Sequence, residues 1–282
     1  MRKFVSFAAG CLAAFVTLPA AAFARDDSPA AVPAPVASYA DLADLADGAP
    51  LVIRAQVRKL VAVEAARAPG LRAGRGRFYV EARTEAVVFG RSGLGEDLRY
   101  LVDLPLDPKG RPPALKKKSV VLFARAVPAR PGELQLVAND AQLVWDAALD
   151  ARLRGVLGEL NAPAAPRRVT GVREAIFVPG SLAGESESQL FLATADGEPA
   201  AVTVVRRPGQ TPRWSVSFSE VVGAAGLAPA RDTLGWYRLA CFLPAALPAE
   251  ANTSGTAENR LAAERDYHFV LDQLGACPRT RK

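Results

Sequence analysis

Apolar and polar residues alternate along several runs in the first half of the chain, which is the pattern of half-buried β-strands. Clusters of glycine and proline separate these runs and predict turns between the strands. The five predicted strands cover residues 51–63, 78–89, 98–104, 119–127 and 133–145. Five strands in about 95 residues predict a small antiparallel barrel or sandwich.

A short helix is predicted in front of these strands, over residues 39–47, and Gly48 ends it. Asp41, Asp44 and Asp47 recur along this helix at every third position. Their spacing differs from that of a calcium-binding loop, which needs its first ligands at alternate positions. We therefore expect these carboxylates to form a solvated acidic face.

The second half repeats the alternating pattern after a predicted helix at residues 146–160, with Asp146 as its N-cap. Residues 233–243 fit either a helix or a strand, whereas residues 257–274 have the apolar spacing of a helix. Four strands, typical of an antiparallel meander, are predicted at residues 169–178, 189–194, 200–207 and 214–222.

These patterns predict a mainly β, α+β chain in two parts. An OB-like antiparallel barrel is expected over residues 39–146, and a helix with a linker over residues 147–167. An antiparallel sheet with a C-terminal helix is expected over residues 168–282.

Segments of the first part carry a resemblance to a known class of barrels. In chain order they read APLVIRAQV, AVVFG, LRYLVDL and KKKSVVLFARA. Their order and hydrophobic pattern resemble secreted OB-like barrels of the netrin and metalloproteinase-inhibitor type. The N-terminal cysteine used by inhibitors of that group is missing, because residues 25–50 contain no cysteine. The resemblance therefore implies the fold and not inhibition. Over its whole length the chain also resembles uncharacterised exported proteins of GC-rich alphaproteobacteria, which implies no function.

The N-terminus has the features of a secretory signal peptide. Two basic residues precede an uncharged apolar stretch over residues 4–18, and Ala22-Phe23-Ala24 supplies small residues for cleavage. We predict a cleaved signal peptide over residues 1–24 and a flexible linker over residues 25–38. The mature chain would be periplasmic or secreted and would have no transmembrane segment. The alternatives are an uncleaved membrane anchor and a lipoprotein attached at Cys11.

Export changes the expected chemistry of the cysteines. The chain has 35 basic and 29 acidic residues, a net charge of +6, and cleavage would remove Arg2 and Lys3 and leave +4. Only Cys241 and Cys277 would remain, and two cysteines in an exported chain predict one disulfide. Two separate buried thiols are the alternative. The bulky aromatic residues nearby are expected to build the core of the second part.

The composition argues against several kinds of chemistry. One histidine, His268, and two cysteines expected to be oxidised cannot supply the three or four ligands of a zinc site. A nucleophile–His–acid triad would have to use His268, which lies between two aromatic residues of a predicted packed helix. The sequence has no phosphate-binding glycine motif. We therefore predict no metal and no cofactor.

Glu185 and Glu187 are candidate catalytic carboxylates. At positions i and i+2 of an extended chain they would point to the same side. Paired carboxylates can act as general acid and base, as in glycoside hydrolysis, or can bind a cation. This gives an alternative function, a carboxylate-dependent hydrolase acting on an envelope substrate. A solvated hairpin loop is the simpler interpretation.

Two basic clusters are the candidate binding sites, one in a Gly-rich loop and one in a lysine run. Their residues are Arg67, Arg72, Arg75, Arg77, Lys116, Lys117 and Lys118. Basic clusters with aromatic neighbours can bind nucleic acid, but export argues against that partner. An anionic envelope component or a lipid headgroup fits such clusters better, and a mobile solvated loop is the alternative. We therefore predict an exported, non-catalytic binding or interaction module, whose partner is an anionic envelope component or a protein.

Overall fold

The computed structural model describes residue 1 and residues 36–91, 94–219 and 226–281. The predicted signal peptide, apart from its first residue, and most of the predicted linker lie outside these residues. Val36–Lys282 form one compact unit, and the chain is mainly β, with 35% strand and 23% helix. No helix in the described ranges is long and apolar enough to span a membrane.

The first sheet is antiparallel and follows helix α1 (Tyr39–Asp47). Its strands are β1 (Leu51–Ala62), β2 (Arg75–Phe89), β3 (Asp97–Pro105), β4 (Ser119–Ala126), β5 (Leu134–Leu136) and β6 (Gln142–Val144). The order across the sheet is β3-β2-β1-β4-β5, and β6 also pairs with β4. Burial alternates along β3 and along part of β2 because one face of these strands covers the core.

The first sheet curls towards a barrel but does not close, which corrects the barrel prediction. β3 reaches β5 through a parallel bridge between Arg99 and Glu133 and a hydrogen bond from the Arg99 N–H to the Gly132 carbonyl at 2.8 Å. A turn at Asn139 divides the predicted strand 133–145 into β5 and β6. β5 is therefore only three residues long, too short to complete a ladder with β3. The described residues form two antiparallel sheets and no closed barrel.

The second sheet is the predicted four-stranded antiparallel meander. Its strands are β7 (Val169–Pro179), β8 (Ser186–Thr194), β9 (Ala201–Arg206) and β10 (Arg213–Ser217), in the order β10-β9-β8-β7. Helix α2 (Ala147–Leu160) precedes it, and the Asp146 carboxylate caps α2 by accepting from the Leu149 N–H at 2.7 Å. The ambiguous segment is helical and forms α3 (Leu234–Ala240), and α4 (Ala257–Leu274) follows it.

One hydrophobic core runs through both sheets. Buried residues of β1, β4, β8 and β9 belong to the same cluster as buried residues of all four α-helices. Trp236 and Tyr237 of α3 are 2% and 1% exposed, and the Trp236 Nε1–H donates to the Leu274 carbonyl at 2.8 Å. The two predicted parts therefore share a core, and their bounds as domains stay a prediction.

The predicted disulfide is confirmed. It joins Cys241, at the C-terminal end of α3, to Cys277, just beyond α4. The two cysteines are 36 residues apart in the sequence. Near the bond, Tyr237 packs edge-to-face on Phe242 with ring centroids 5.2 Å apart. The disulfide thus ties the C-terminal segment to the buried aromatic residues of α3.

The prediction of a solvated acidic face on α1 is wrong, because Asp41 and Asp44 bind the C-terminal segment. Asp41 is 1% exposed. It accepts from the Thr280 Oγ1–H at 2.6 Å and from the Thr280 N–H at 3.0 Å, and it forms a capping box with Ser38. Asp44 accepts from the Arg279 Nε–H at 2.6 Å. We call Asp41 and Asp44, with residues 279–281, the C-terminal clasp.

Asp47 extends the contacts of α1 to the second half of the chain. It accepts from the Arg238 Nη1–H at 2.8 Å and the Arg238 Nη2–H at 3.0 Å, and from Arg168 at 2.7 Å. Arg238 is only 4% exposed. A buried guanidinium needs a carboxylate partner, and α1 supplies it from a distant point in the sequence.

Candidate functional site

A cleft of about 790 Å³ lies on the outer face of β1, β2 and β3 and extends towards β5. The strand register brings Val61, Tyr79 and Leu101 into one row across these three strands. They are 43%, 37% and 50% exposed because they point away from the core. Contiguous exposed apolar side chains in a concave surface are typical of binding sites. We call these three residues the apolar row.

Arg77 and Asp103 form one wall of the cleft. The Arg77 Nε–H and Nη2–H donate to the two carboxylate oxygens of Asp103 at 2.7 and 2.9 Å. These hydrogen bonds and the charge of Asp103 raise the pKa of the Arg77 guanidinium against the opposing effect of its burial. Because this pairing is bidentate and mostly buried, Arg77 is held by Asp103 rather than free for a ligand.

Other polar residues of the cleft are open to solvent. Arg67, Arg99 and Glu64 are exposed, and their side chains form no hydrogen bond or ion pair with the described part of the chain. Gln135 and Asn139 add two exposed side-chain amides. The charged lining consists of three cations and three carboxylates: Arg67, Arg77, Arg99, Glu64, Asp103 and Glu133. The cleft therefore offers donors and acceptors around the apolar row without a net charge.

The structure divides the predicted arginine cluster. Arg67 and Arg77 line the cleft, whereas Arg72 is exposed and does not. Arg75 donates to the Asp103 backbone carbonyl at 2.9 Å. The four arginines therefore do not form one basic patch, and two of them take part in contacts that hold the sheet.

The predicted lysine cluster lies on a second surface, in the turn that leads into β4. The Lys117 N–H donates to the Val57 carbonyl at 2.8 Å, and the Val57 N–H donates to the Lys118 carbonyl at 3.0 Å. These bonds place Lys116, Lys117 and Lys118 beside Arg58 of β1. All four cationic residues are exposed, and none forms an ion pair with any described residue. We call them the basic surface.

A shallow groove of about 540 Å³ adjoins the basic surface, and Arg58 is part of its lining. The Arg54 guanidinium in this groove lies 4.9 Å from the ring centroid of Trp145. Its Nε is 3.1 Å from the Glu85 carboxylate, although it is not aligned for a hydrogen bond. Ser119 also donates to Glu85, at 2.9 Å. Arg54 and Glu85 balance each other's charge, and Arg83 of the same groove pairs with Glu96. Among the described residues, Arg58 is therefore the unpaired cation in the groove lining.

The two candidate catalytic carboxylates do not share a cavity. Glu185 lines a cavity of about 510 Å³ between the β7–β8 turn and α4. Glu187 is exposed, is not part of that lining, and accepts from the Gln189 Nε2–H at 2.8 Å. β8 begins at Ser186, so Glu185 belongs to the turn. The alternation of an extended strand therefore does not apply to this pair.

A buried polar network near this cavity was not predicted. Asp266 of α4 is 1% exposed and accepts from the Ser188 Oγ–H at 2.5 Å and from the Arg206 Nε–H at 2.6 Å. His268 is exposed on the same helix, and its ring lies 6.3 Å from that of Tyr267. Asp266 is therefore bound to serine and arginine rather than to His268.

Sequence reasoning also missed the apolar row. Each of its residues occupies an outward position of a strand, where a polar residue is the usual choice. Val61, Tyr79 and Leu101 become neighbours only through the register of three strands. The sequence held one signal for the apolar row. Tyr79 directly follows the buried Phe78, so an aromatic side chain occupies the outward, normally polar side of the predicted strand 78–89.

No protein-family model matches the chain, and no curated protein matches it at a significant level. The described residues contain no group of three or more histidines, cysteines or carboxylates that could hold a metal ion.

Proposed function

We propose that the chain is an exported, non-catalytic module that binds an anionic component of the cell envelope. The proposal rests on the basic surface, formed by Arg58, Lys116, Lys117 and Lys118. Four neighbouring cations repel one another, and in the described structure no carboxylate pairs with them. An anionic ligand would relieve this repulsion.

The chemistry of the basic surface favours an extended anionic partner. Lysine side chains are flexible point charges, which suit a diffuse array of phosphate or carboxylate groups better than one fixed ligand. The adjoining groove is shallow and open, so the surface would bind by charge rather than by enclosure. The Cys241–Cys277 disulfide supports an oxidising compartment, where anionic lipids and polymers are available partners.

The arrangement of the carboxylates supports a non-catalytic module. Glu185 and Glu187 would have to face one substrate to act as acid and base, yet only Glu185 lines a cavity. No observation favours the hydrolase as a second candidate.

Binding of the full mature chain to phosphatidylglycerol-containing vesicles tests the proposed function. We expect binding at about 0.01 M ionic strength, where the Debye length is about 30 Å, and much weaker binding at about 0.15 M, where it is about 8 Å. Replacing all three lysines by glutamine should weaken binding about 100-fold, because each lysine near an anionic surface contributes about 1 kcal/mol.

The matched control is the double variant Arg207→Gln/Arg213→Gln, which removes exposed charge from the second sheet and should reduce binding much less. Co-sedimentation measures the vesicle affinity of the wild-type chain and of both variants. Absence of binding by the wild-type chain at low salt, or equal affinity of the lysine variant and the wild type, would refute the proposed function.

A further inference from the structure

The cleft beside the apolar row differs in chemistry from the basic surface. Its lining has as many carboxylates as cations, and two of those carboxylates already have arginine partners. Asp103 is paired with Arg77, and Glu133 with Arg130 at 3.2 Å. We propose that this cleft is a second binding site and that its ligand is an uncharged oligosaccharide. The proposal is independent of the vesicle-binding surface.

The apolar row matches the non-polar faces of sugar rings. Tyr79 lies between Val61 and Leu101, so an aromatic ring is flanked by two aliphatic side chains on neighbouring strands. Because neighbouring strands are about 4.8 Å apart, the row extends for about 10 Å across the sheet. The C–H faces of a pyranose chain can pack along such a row, with Tyr79 as the main contact.

The polar lining matches hydroxyl groups, which both donate and accept hydrogen bonds. Arg67 and Arg99 supply donors, Glu64 supplies acceptors, and the amides of Gln135 and Asn139 supply both. The guanidinium groups of Arg67 and Arg99 and the carboxylate of Glu64 have no partner among the described residues. A ligand with hydroxyl groups could accept hydrogen bonds from the two guanidinium groups and donate to the Glu64 carboxylate.

Other classes of ligand fit the cleft less well. A polyanion would meet repulsion from the Glu64 carboxylate, which has no cationic partner among the described residues. A purely apolar ligand would remove water from Arg67, Arg99 and Glu64 without replacing their hydrogen bonds. An extended peptide that adds to a sheet needs a continuous free strand edge. β2 is paired on both sides, and the edge of β3 is interrupted because the Arg99 and Asp103 N–H groups already donate to the carbonyls of residues 132 and 139.

The volume of the cleft also suits a short oligosaccharide. At about 790 Å³ it lies within the range of roughly 300–1,000 Å³ that is usual for small-ligand sites. An oligosaccharide of a few units could lie along the apolar row while its hydroxyl groups reach the charged and amide side chains on both sides.

Isothermal titration of the full mature chain with a panel of uncharged oligosaccharides tests the proposal. The panel consists of oligomers of hexoses and of N-acetylhexosamines. We expect at least one member to bind, with an affinity that hardly changes with salt. Tyr79→Ala should weaken that binding by about tenfold or more, whereas Tyr79→Phe should retain it because the ring is kept.

Two further variants make the result specific to the cleft. Glu64→Ala should also weaken binding without affecting the fold, since Glu64 is exposed. Val87→Ala is the matched control, because Val87 is a 43% exposed valine on β2 outside the cleft, and it should bind as the wild type does. The glutamine variant of the three lysines should also keep oligosaccharide binding while it loses vesicle binding.

The proposal is overturned if no uncharged oligosaccharide binds at about millimolar concentration, a weak limit for specific recognition. It is equally overturned if Tyr79→Ala binds as tightly as the wild type. Binding of anionic vesicles with no oligosaccharide binding would overturn this proposal and leave the proposed function intact.

Discussion

At the scale of single residues, Asp266 shows how one carboxylate attaches α4 to the second sheet. It is buried between the Ser188 hydroxyl of β8 and the Arg206 guanidinium of β9. Arg206 also lies over the ring of Phe269, 5.8 Å from its centroid. The sequence directs attention to the single histidine, His268, but periodicity cannot tell which polar residue of a helix will find a buried partner on a distant strand.

Loss of the Asp266 carboxylate should destabilise the fold strongly. We expect Asp266→Ala to lower the free energy of unfolding by about 3 kcal/mol, because Arg206 and Ser188 would lose their buried partner. Asp272→Ala on the same helix removes an exposed carboxylate and should change it by less than about 0.5 kcal/mol. Urea unfolding of both variants measures the difference. Equal stabilities for the two variants would contradict the structural role given to Asp266.

At the scale of elements, the sequence predicts the helices and most strands well. The bounds of α1 and α4 are those expected from apolar spacing and caps. The predicted strand 133–145 is the main error, because the Asn139–Asp140 turn signal lies inside a run that otherwise alternates. The spacing of the acidic residues of α1 also predicted the wrong environment for them, a solvated face, because their partners come from a distant part of the chain.

Protonation of Asp41 and Asp47 should destabilise the fold in acid. Burial by itself raises the pKa of both carboxyls, but hydrogen bonds from Thr280 to Asp41 and from Arg238 to Asp47 outweigh it, so each pKa lies below its usual value. A carboxyl whose pKa is lower in the folded chain stabilises the fold above its unfolded pKa of about 4. That contribution is lost as the pH falls from about 4 through the folded-state pKa.

Asp47→Asn is the variant that tests this pH dependence. It should lower Tm near neutral pH, because Arg238 stays buried without its ionised partner. Between about pH 5 and pH 2 its Tm should then fall less than that of the wild type. Asp272→Asn serves as the control and should follow the wild-type curve. Parallel Tm curves for Asp47→Asn and the wild type would show that Asp47 does not contribute to acid sensitivity.

At the scale of the whole molecule, the C-terminal segment joins the two ends of the described fold. The disulfide holds it to α3 at Cys277, and the C-terminal clasp holds it to α1 through Asp41 and Asp44. The cysteine count predicted the first attachment. The second could not be predicted, because it needs the fold to bring residues about 240 positions apart into contact.

The two attachments should act on the same segment and should therefore be coupled. Replacing both cysteines by serine should cost about 3–4 kcal/mol, from a loop of this length, yet leave Thr280 partly protected by Asp41. Asp41→Ala alone should leave the segment tethered at Cys277. Only the combination of the two changes should release it fully, so their effects should not be additive.

Hydrogen exchange of the Thr280 and Arg281 amides, which both donate to Asp41, measures how well the C-terminal clasp holds the segment when the disulfide is absent. We expect moderately faster exchange in the serine variant, where Asp41 still accepts from both amides, and close to the rate of an unstructured peptide in Asp41→Ala and in the combined variant, which lack this acceptor. Exchange at Leu274, in the last turn of α4, reports whether the helix itself has opened. If the serine variant alone exchanges Thr280 at the unstructured rate while Leu274 stays protected, the clasp contributes nothing, and the disulfide is the sole restraint on this end of the chain.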